Sequence, residues 1–124
     1  MKTIKLLPLI LITLVSACTL DETPDVASLV VGTYKGKASD DFTSSNGKKV
    51  IITKISNNEI KITPDGDNLI NSAFSVQIVQ DGNWVKQSAN QQGATFEAKA
   101  SKNSVPITFS LNAPSSSFEG KREN

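Results

Sequence analysis

Cys18, the single cysteine of the chain, is the residue best suited by type and position to do chemistry. Its thiolate is a nucleophile, and it directly follows two small residues, Ser16 and Ala17, at the end of an apolar run. The chain contains no histidine, which removes the commonest general base and every Ser-His or Cys-His arrangement. We therefore expect no enzymatic activity.

Two groups of carboxylates are the remaining candidates for acid–base or metal chemistry. Asp40 and Asp41 are adjacent, but neighbours on a strand point to opposite faces, and the polar residues around them predict a loop over 39–47. The run Asp65-Gly66-Asp67-Asn68 lacks the glycine and the glutamate that complete a calcium loop. We interpret the first group as solvated loop charge and the second as a β-turn. No catalytic residue, metal site or cofactor is predicted.

The N-terminus has the three parts of a secretory signal. Lys2 and Lys5 form a basic start, Leu6–Val15 is an apolar run, and small residues follow it. The run is too short to cross a bilayer, which takes about 20 residues. These features predict a signal peptide over residues 1–17.

The cleavage zone, Val15-Ser16-Ala17-Cys18, resembles the lipobox of bacterial lipoproteins. The resemblance implies that the Cys18 sulfur accepts a diacylglyceryl group, that the peptide is cut before Cys18, and that fatty acyl chains such as palmitate anchor the protein. The next residue is Thr19 rather than Asp, so we expect outer-membrane location, at the periplasmic face or the cell surface. The acidic pair Asp21-Glu22 is interpreted as a solvated linker, with a surface-sorting signal as the alternative.

The predicted mature chain is a single small domain. We divide the sequence into a signal peptide (1–17), a lipidated cysteine with an acidic tether (18–28) and a β domain (29–124). Removing Lys2 and Lys5 leaves 11 basic and 12 acidic residues, which gives no electrostatic support for nucleic-acid binding. The expected partners are the membrane, through Cys18, and a small hydrophobic ligand or a protein.

Behind the tether, residue patterns predict an all-β fold. Thr23-Pro24-Asp25 is typical of a helix start, so we expect a short helix up to about Val30. After it, apolar residues alternate with polar ones, the pattern of half-buried strands. About eight short strands follow, over or near residues 31–37, 50–55, 60–62, 74–79, 84–86, 96–100, 105–111 and 118–122. This favours an antiparallel up-and-down barrel or a barrel-like meander.

The first and last strands resemble those of small lipocalin-like (calycin-like) bacterial lipoproteins. Gly32-Thr33-Tyr34-Lys35-Gly36 is similar to the G-x-W opening of lipocalins, with tyrosine in place of tryptophan, and Phe118-Glu119-Gly120-Lys121 is similar to their closing strand. The resemblance implies a barrel in which Arg122 packs over the Tyr34 ring, as a cation–π contact.

The function predicted from these features is binding without catalysis. The first hypothesis is a small apolar ligand inside the barrel, or a glycan at its mouth, with Tyr34, Trp84 and Arg122 either contacting the ligand or packing the barrel end. The alternative is a protein-interaction accessory or inhibitor lipoprotein. Small residues at Ala94, Ala98 and Ala100 leave open whether a cavity exists or an aromatic ring fills the space. An internal cavity would favour the first hypothesis, and exposed apolar surface the second.

Overall fold

The computed structural model describes residues 24–66, 69–70, 72–100, 106–112 and 115–123. Eight strands follow a short 3-10 turn at Ala27–Leu29. They are β1 (Gly32–Asp40), β2 (Ser44–Ser56), β3 (Glu59–Asp65), β4 (Phe74–Asp81), β5 (Trp84–Gln87), β6 (Ala94–Lys99), β7 (Pro106–Asn112) and β8 (Ser115–Arg122). Each strand pairs antiparallel with the next, and β8 pairs with β1, so the sheet closes into a barrel. The predicted all-β barrel is confirmed.

The barrel interior is built by the alternation that the sequence displays. Along β6, for example, Ala94, Phe96 and Ala98 are buried, whereas Thr95 and Glu97 between them are exposed. Burial of one face of every strand removes apolar surface from water, which stabilises the fold by about 25 cal/mol for each Å². The core consists of Val26, Ala27, Val30, Tyr34, Ala38, Val50, Ile52, Ile60, Ile62, Ile70, Val76, Ile78, Val85, Ala94, Phe96, Ala98, Ile107, Phe109 and Phe118.

The barrel closes at a pair of glycines. Gly36 of β1 and Gly120 of β8 are partners in the register. A Cβ atom at Gly36 would lie 2.0 Å from the carbonyl oxygen of Glu119, and one at Gly120 would lie 2.7 Å from the Phe118 ring. Neither position therefore has room for a side chain, and the backbones of β1 and β8 approach each other only because both residues are glycine.

A row of phenylalanines fills the space that the small residues leave. Phe96, Phe109 and Phe118 are partners across β6, β7 and β8. The rings of Phe109 and Phe118 stack with centroids 5.4 Å apart. The neighbouring row contains Ala98 and the two glycines, and Ala98 has no exposed surface. The open question about the alanines is thus settled for Ala98, where side chains occupy the space.

The N-terminal helix is shorter than predicted. Only Ala27–Leu29 is helical, as a 3-10 turn. Oδ1 of Asp25 accepts a hydrogen bond from the backbone N–H of Ser28 at 3.2 Å and so stabilises the turn. The ammonium of Lys54 donates to Asp25 at 2.8 Å and, with Ser28, lowers the pKa of that carboxyl to about 2. Thr23 lies outside the described residues.

The loop predicted over 39–47 was wrong in extent. β1 continues to Asp40 and β2 begins at Ser44, so only residues 41–43 turn. Hydroxyl-bearing residues predicted the loop, but here they pair across strands, Ser39 with Ser44 and Ser117. β3 likewise runs on to Asp65, where a turn was predicted. Asp67 and Asn68 lie outside the described residues.

The close approach of β1 and β8 predicts that Gly36→Ala destabilises the barrel strongly. The new methyl group meets backbone atoms that cannot rotate away, so we expect a loss of about 3 kcal/mol in the free energy of unfolding. Urea denaturation followed by circular dichroism measures it. Gly82→Ala is the matched control, because a Cβ there meets nothing within 4 Å and only its positive φ should cost about 1 kcal/mol. Equal losses for both variants would contradict the closure argument.

Candidate functional site

Among the described residues, the side chains that point into the barrel are packed closely together. Tyr34, Ala38, Ile52, Ile62 and Val85 have no surface that water can reach, from outside or from an internal void. Phe96, Phe109 and Phe118 expose 1–3% of theirs. Interiors packed in this way contain few voids larger than a water molecule. The surfaces that are open to a partner lie at the barrel ends and on the outer wall.

Tyr34 and Arg122 lie together at the barrel end where the N-terminal segment enters. They are partners in the register of β1 and β8. The Tyr34 hydroxyl donates to the carbonyl oxygen of Val30 at 2.7 Å. Nη1 of Arg122 donates to the carbonyl oxygens of Leu29 and Val31, at 3.3 and 3.4 Å. The two side chains predicted to meet do lie together and hold the segment that precedes β1. The Arg122 side chain also hydrogen-bonds to Tyr34.

The packing of Arg122 explains why the first strand begins with a glycine, Gly32. A Cβ atom there would lie 2.7 Å from Cδ of Arg122, so the aliphatic part of the arginine lies directly over the glycine backbone. The φ angle of Gly32 is +149°, which L side chains rarely adopt. Glycine, tyrosine and arginine therefore form one arrangement at this barrel end.

Burial of the Tyr34 phenol raises its pKa to about 12, because the phenolate would lose its hydration, while the nearby charge of Arg122 opposes the shift. The neutral form is thus favoured in the folded state. This contribution to stability is complete below pH 10, the ordinary pKa of tyrosine, and is lost as the pH rises towards 12.

Trp84 does not join Tyr34 and Arg122. It is the first residue of β5, its side chain is 39% exposed, and the next residue, Val85, points inward. Its ring lies on the outer wall in a shallow recess lined by Glu97, Pro106, Ile107 and Thr108. The three residues predicted to contact a ligand or to pack the barrel end therefore do not form one pocket.

Phe42 is the most exposed large apolar residue in the described part of the chain, with 93% of its surface open to solvent. It lies in the turn between β1 and β2. Oδ1 of Asp40 accepts from the backbone N–H groups of Phe42 and Thr43, both at 2.8 Å, and from the Thr43 hydroxyl at 3.2 Å. The N–H of Asp40 also donates to the Thr43 carbonyl at 2.9 Å. The turn is therefore closed by one carboxylate while its central ring points into water.

The same hydrogen bonds lower the pKa of Asp40, because the N–H groups of Phe42 and Thr43 stabilise the charged carboxylate. The carboxylate is thus ionised at neutral pH. Its contribution to the turn is present above the ordinary aspartate pKa of 3.8 and is lost as the pH falls below it. Asp40 and Asp41, considered as an acid–base pair from the sequence, have different roles: Asp40 closes the turn, and Asp41 is exposed beside Phe42.

A polar groove of about 360 Å³ crosses the outer wall over β6, β7, β8 and β1. Its hydroxyls form one row in the register, in which Ser39 pairs with Ser117, Ser117 with Ser110, and Ser110 with Thr95. The Thr95 and Ser110 hydroxyls lie 2.6 Å apart. Lys37 and Glu119, opposite each other, also line the groove.

Sequence reasoning missed both Phe42 and the groove. The signal for Phe42 was available, because it is a large apolar residue inside a run of Asp, Thr and Ser with no apolar residue at strand spacing. The groove had no such signal, since its residues come from four strands. Cys18 and the signal peptide lie outside the described residues.

Within the described ranges no group of three or more acidic or sulfur side chains is arranged to hold a metal ion. No helix found there is long and apolar enough to span a bilayer. Comparison of the chain with protein-family models, curated proteins and solved structures finds no match.

The burial of Tyr34 predicts an abnormal titration. Because this is the only tyrosine of the chain, absorbance at the phenolate band should show a midpoint near 12 rather than 10.0. Tyr34→Phe should abolish the transition and lower the free energy of unfolding by about 1 kcal/mol, through loss of the bond to Val30. A midpoint near 10 in folded protein would show that the ring is not buried.

Proposed function

We propose that the chain is a lipid-anchored envelope lipoprotein of the outer membrane, with a lipocalin-like barrel that serves as a protein-interaction module. The observation that carries this proposal is Phe42, a ring 93% exposed on a turn closed by Asp40. The proposal includes no enzymatic step and no cofactor.

An exposed phenylalanine on a fixed turn is suited to bind a protein pocket. Burying a Phe side chain contributes about 1.5–3 kcal/mol, and aromatic anchors in pockets carry much of the binding energy of interfaces. The Asp40 hydrogen bonds hold the turn before binding, which lowers the entropy lost on association. The exposed ring of Phe42 is thus available to bind a partner, which a ring buried in the core would not be.

The charges beside Phe42 indicate the chemistry of the partner. Asp41 is exposed next to the ring, and Asp40 carries its charge at neutral pH. An apolar pocket bordered by Lys or Arg would accept the ring and complement both carboxylates. An anionic lipid surface would repel them. We therefore propose a protein partner with such a pocket.

The position of the turn fits a protein anchored at its N-terminus. β1 begins where the N-terminal segment enters and ends at the Phe42 turn, nine residues further along the strand. At about 3.3 Å per residue, this places the ring about 30 Å along the strand from the entry point. Support for the anchor comes from Val15-Ser16-Ala17-Cys18 and its resemblance to a lipobox. Phe42 would then project away from the membrane.

A glycan-binding module is the second candidate function. The groove over β6, β7, β8 and β1 offers hydroxyls, an ammonium and a carboxylate, which are groups that hydrogen-bond to sugars. A small apolar ligand inside the barrel finds no comparable support, because the inward-facing side chains described above are packed against each other.

The proposed anchor predicts that Cys18→Ser leaves the precursor uncut and unlipidated, because the sulfur is the acceptor of the diacylglyceryl group. Membrane fractionation and intact-mass measurement of the purified protein test this. The native protein should carry acyl chains on Cys18 and sediment with membranes, and the variant should carry none. A native Cys18 without acyl chains would refute the anchor.

The interaction module predicts that Phe42 contacts a single protein in the producing cell. A photo-crosslinking phenylalanine analogue at position 42 should give one discrete adduct, and Phe42→Ala should weaken binding of the identified, purified partner about 30-fold, the effect of losing about 2 kcal/mol. The melting temperature should stay unchanged, because the ring is almost wholly exposed.

The controls separate the two candidate functions. Asp40→Ala should weaken binding by loosening the turn, and Asp41→Lys by reversing the charge. Ser110→Val, in the polar groove, should leave the protein partner bound. Loss of binding with Ser110→Val but not with Phe42→Ala would favour the groove, and no adduct at position 42 would refute the interaction module.

A further inference from the structure

We propose that the barrel end at which the N-terminal segment enters rests on the lipid surface, through a partial ring of exposed apolar side chains. We refer to this set as the apolar collar; it consists of Leu29, Val31, Ile55, Val79 and Trp84. The inference rests on the proposed lipid anchor and extends it, because it fixes which face of the barrel touches the membrane.

The distribution of exposed apolar residues is strongly one-sided. Leu29 and Val31 directly precede β1, Ile55 is next to the last residue of β2, Val79 lies near the end of β4, and Trp84 begins β5. In an antiparallel barrel these positions all lie at the same end. They are 37–51% exposed. Phe42 is the sixth large apolar residue that is exposed in the described ranges, and it lies at the opposite end.

An apolar cleft lies within the collar. It has a volume of about 480 Å³. Pro24 and Val26 of the N-terminal segment and Ile78 and Val79 of β4 form its apolar lining. The lining is completed by Asn58, Gln80 and Gly82. Val79 belongs to both the cleft and the collar. This end therefore presents a concave apolar surface with apolar side chains around it, a shape that acyl chains and glycerol groups can fill.

The length of the preceding chain selects lipid as the occupant. Only five residues, 19–23, separate Cys18 from Pro24, and even fully extended they span about 18 Å. With acyl chains on Cys18 in the bilayer, the collar cannot be far from the membrane surface. A protein partner would have to enter this narrow space, so lipid is the occupant that the tether favours.

The side chains of the collar suit the region between water and hydrocarbon. Tryptophan is enriched at that depth, because its ring is apolar and its N–H can reach water or headgroups. Lys99 pairs with Trp84 in the register, and Lys86 pairs with Val79, where its ammonium group lies 4.0 Å from the Asp81 carboxylate. Lysines beside apolar residues keep their stems on apolar surface and place their ammonium groups among the headgroups.

Trp84 is the only tryptophan of the chain, so its fluorescence tests the inference directly. The lipidated full-length mature protein is reconstituted in phosphatidylethanolamine–phosphatidylglycerol vesicles that contain phospholipid brominated near the ester end of the acyl chains. We expect the bromine to quench about half or more of the emission, because the collar lies at the depth of an interfacial side chain. Emission equal to that in unbrominated vesicles would overturn the inference.

A matched variant moves the tryptophan to the other end. The double variant Trp84→Phe, Phe42→Trp should keep the fold and show no quenching. Equal quenching of the two proteins would overturn the inference, because it would mean that the barrel has no preferred orientation. In Ile55→Asp with Val79→Asp, the anchor should keep the protein in the membrane fraction while quenching of Trp84 falls.

The two proposals fail differently. Absence of acyl chains on Cys18, measured by mass, refutes the anchor. Unquenched Trp84 in protein whose Cys18 does carry acyl chains refutes the collar and leaves the anchor standing. Quenching relieved only when a purified protein partner is added would assign the collar to that partner instead and would also overturn the inference.

Discussion

The contact between β1 and β8 is the constraint on which the rest of the structure depends. Closure requires the two backbones to approach at Gly36 and Gly120, where neither strand has room for a Cβ atom. Once the sheet is closed, no strand is left as an edge. Closure also brings Tyr34 and Arg122 side by side and sets the phenylalanine row next to the small residues. The core depends on this one pairing. So does the arrangement in which Tyr34 and Arg122 hold the segment that precedes β1.

The fold could be predicted from the sequence because the alternation of apolar and polar residues that specifies each strand is local in the sequence. Alternation such as that of Val105, Ile107, Phe109 and Leu111 specifies a strand with one buried face wherever it occurs. The region 39–47 was read wrongly in extent, since serine favours turns when considered alone, whereas Ser39, Ser44 and Ser45 have partners across β1 and β2. The N-terminal helix was predicted to be too long at its start, because residues 24–26 are not helical and the 3-10 turn begins only at Ala27.

The site could be predicted only in part. The resemblance to lipocalin-like strands placed Tyr34 and Arg122 together, because both belong to the strands that close the barrel. The sequence did not predict whether the Trp84 side chain points into the barrel or outward, because this depends on the strand register. Val85, one residue further along β5, points inward, whereas Trp84 points outward. Whether a barrel is hollow depends on contacts between residues that are far apart in the sequence. The close packing of the interior could therefore not be predicted from the sequence. The two ends of the barrel differ in chemistry: aliphatic side chains and a tryptophan are exposed at one, and a phenylalanine that follows two aspartates is exposed at the other.

The attachment of the N-terminal segment has a mechanical consequence. Arg122 and Tyr34 bind the carbonyl groups at 29–31, and the chain continues directly into β1, which pairs with β2 on one side and β8 on the other. A pull on the segment before Pro24 therefore acts along β1 and loads two ladders of hydrogen bonds in shear, in parallel, instead of peeling one strand from an edge bond by bond. The barrel should therefore resist unfolding best when it is pulled by its N-terminal segment along β1.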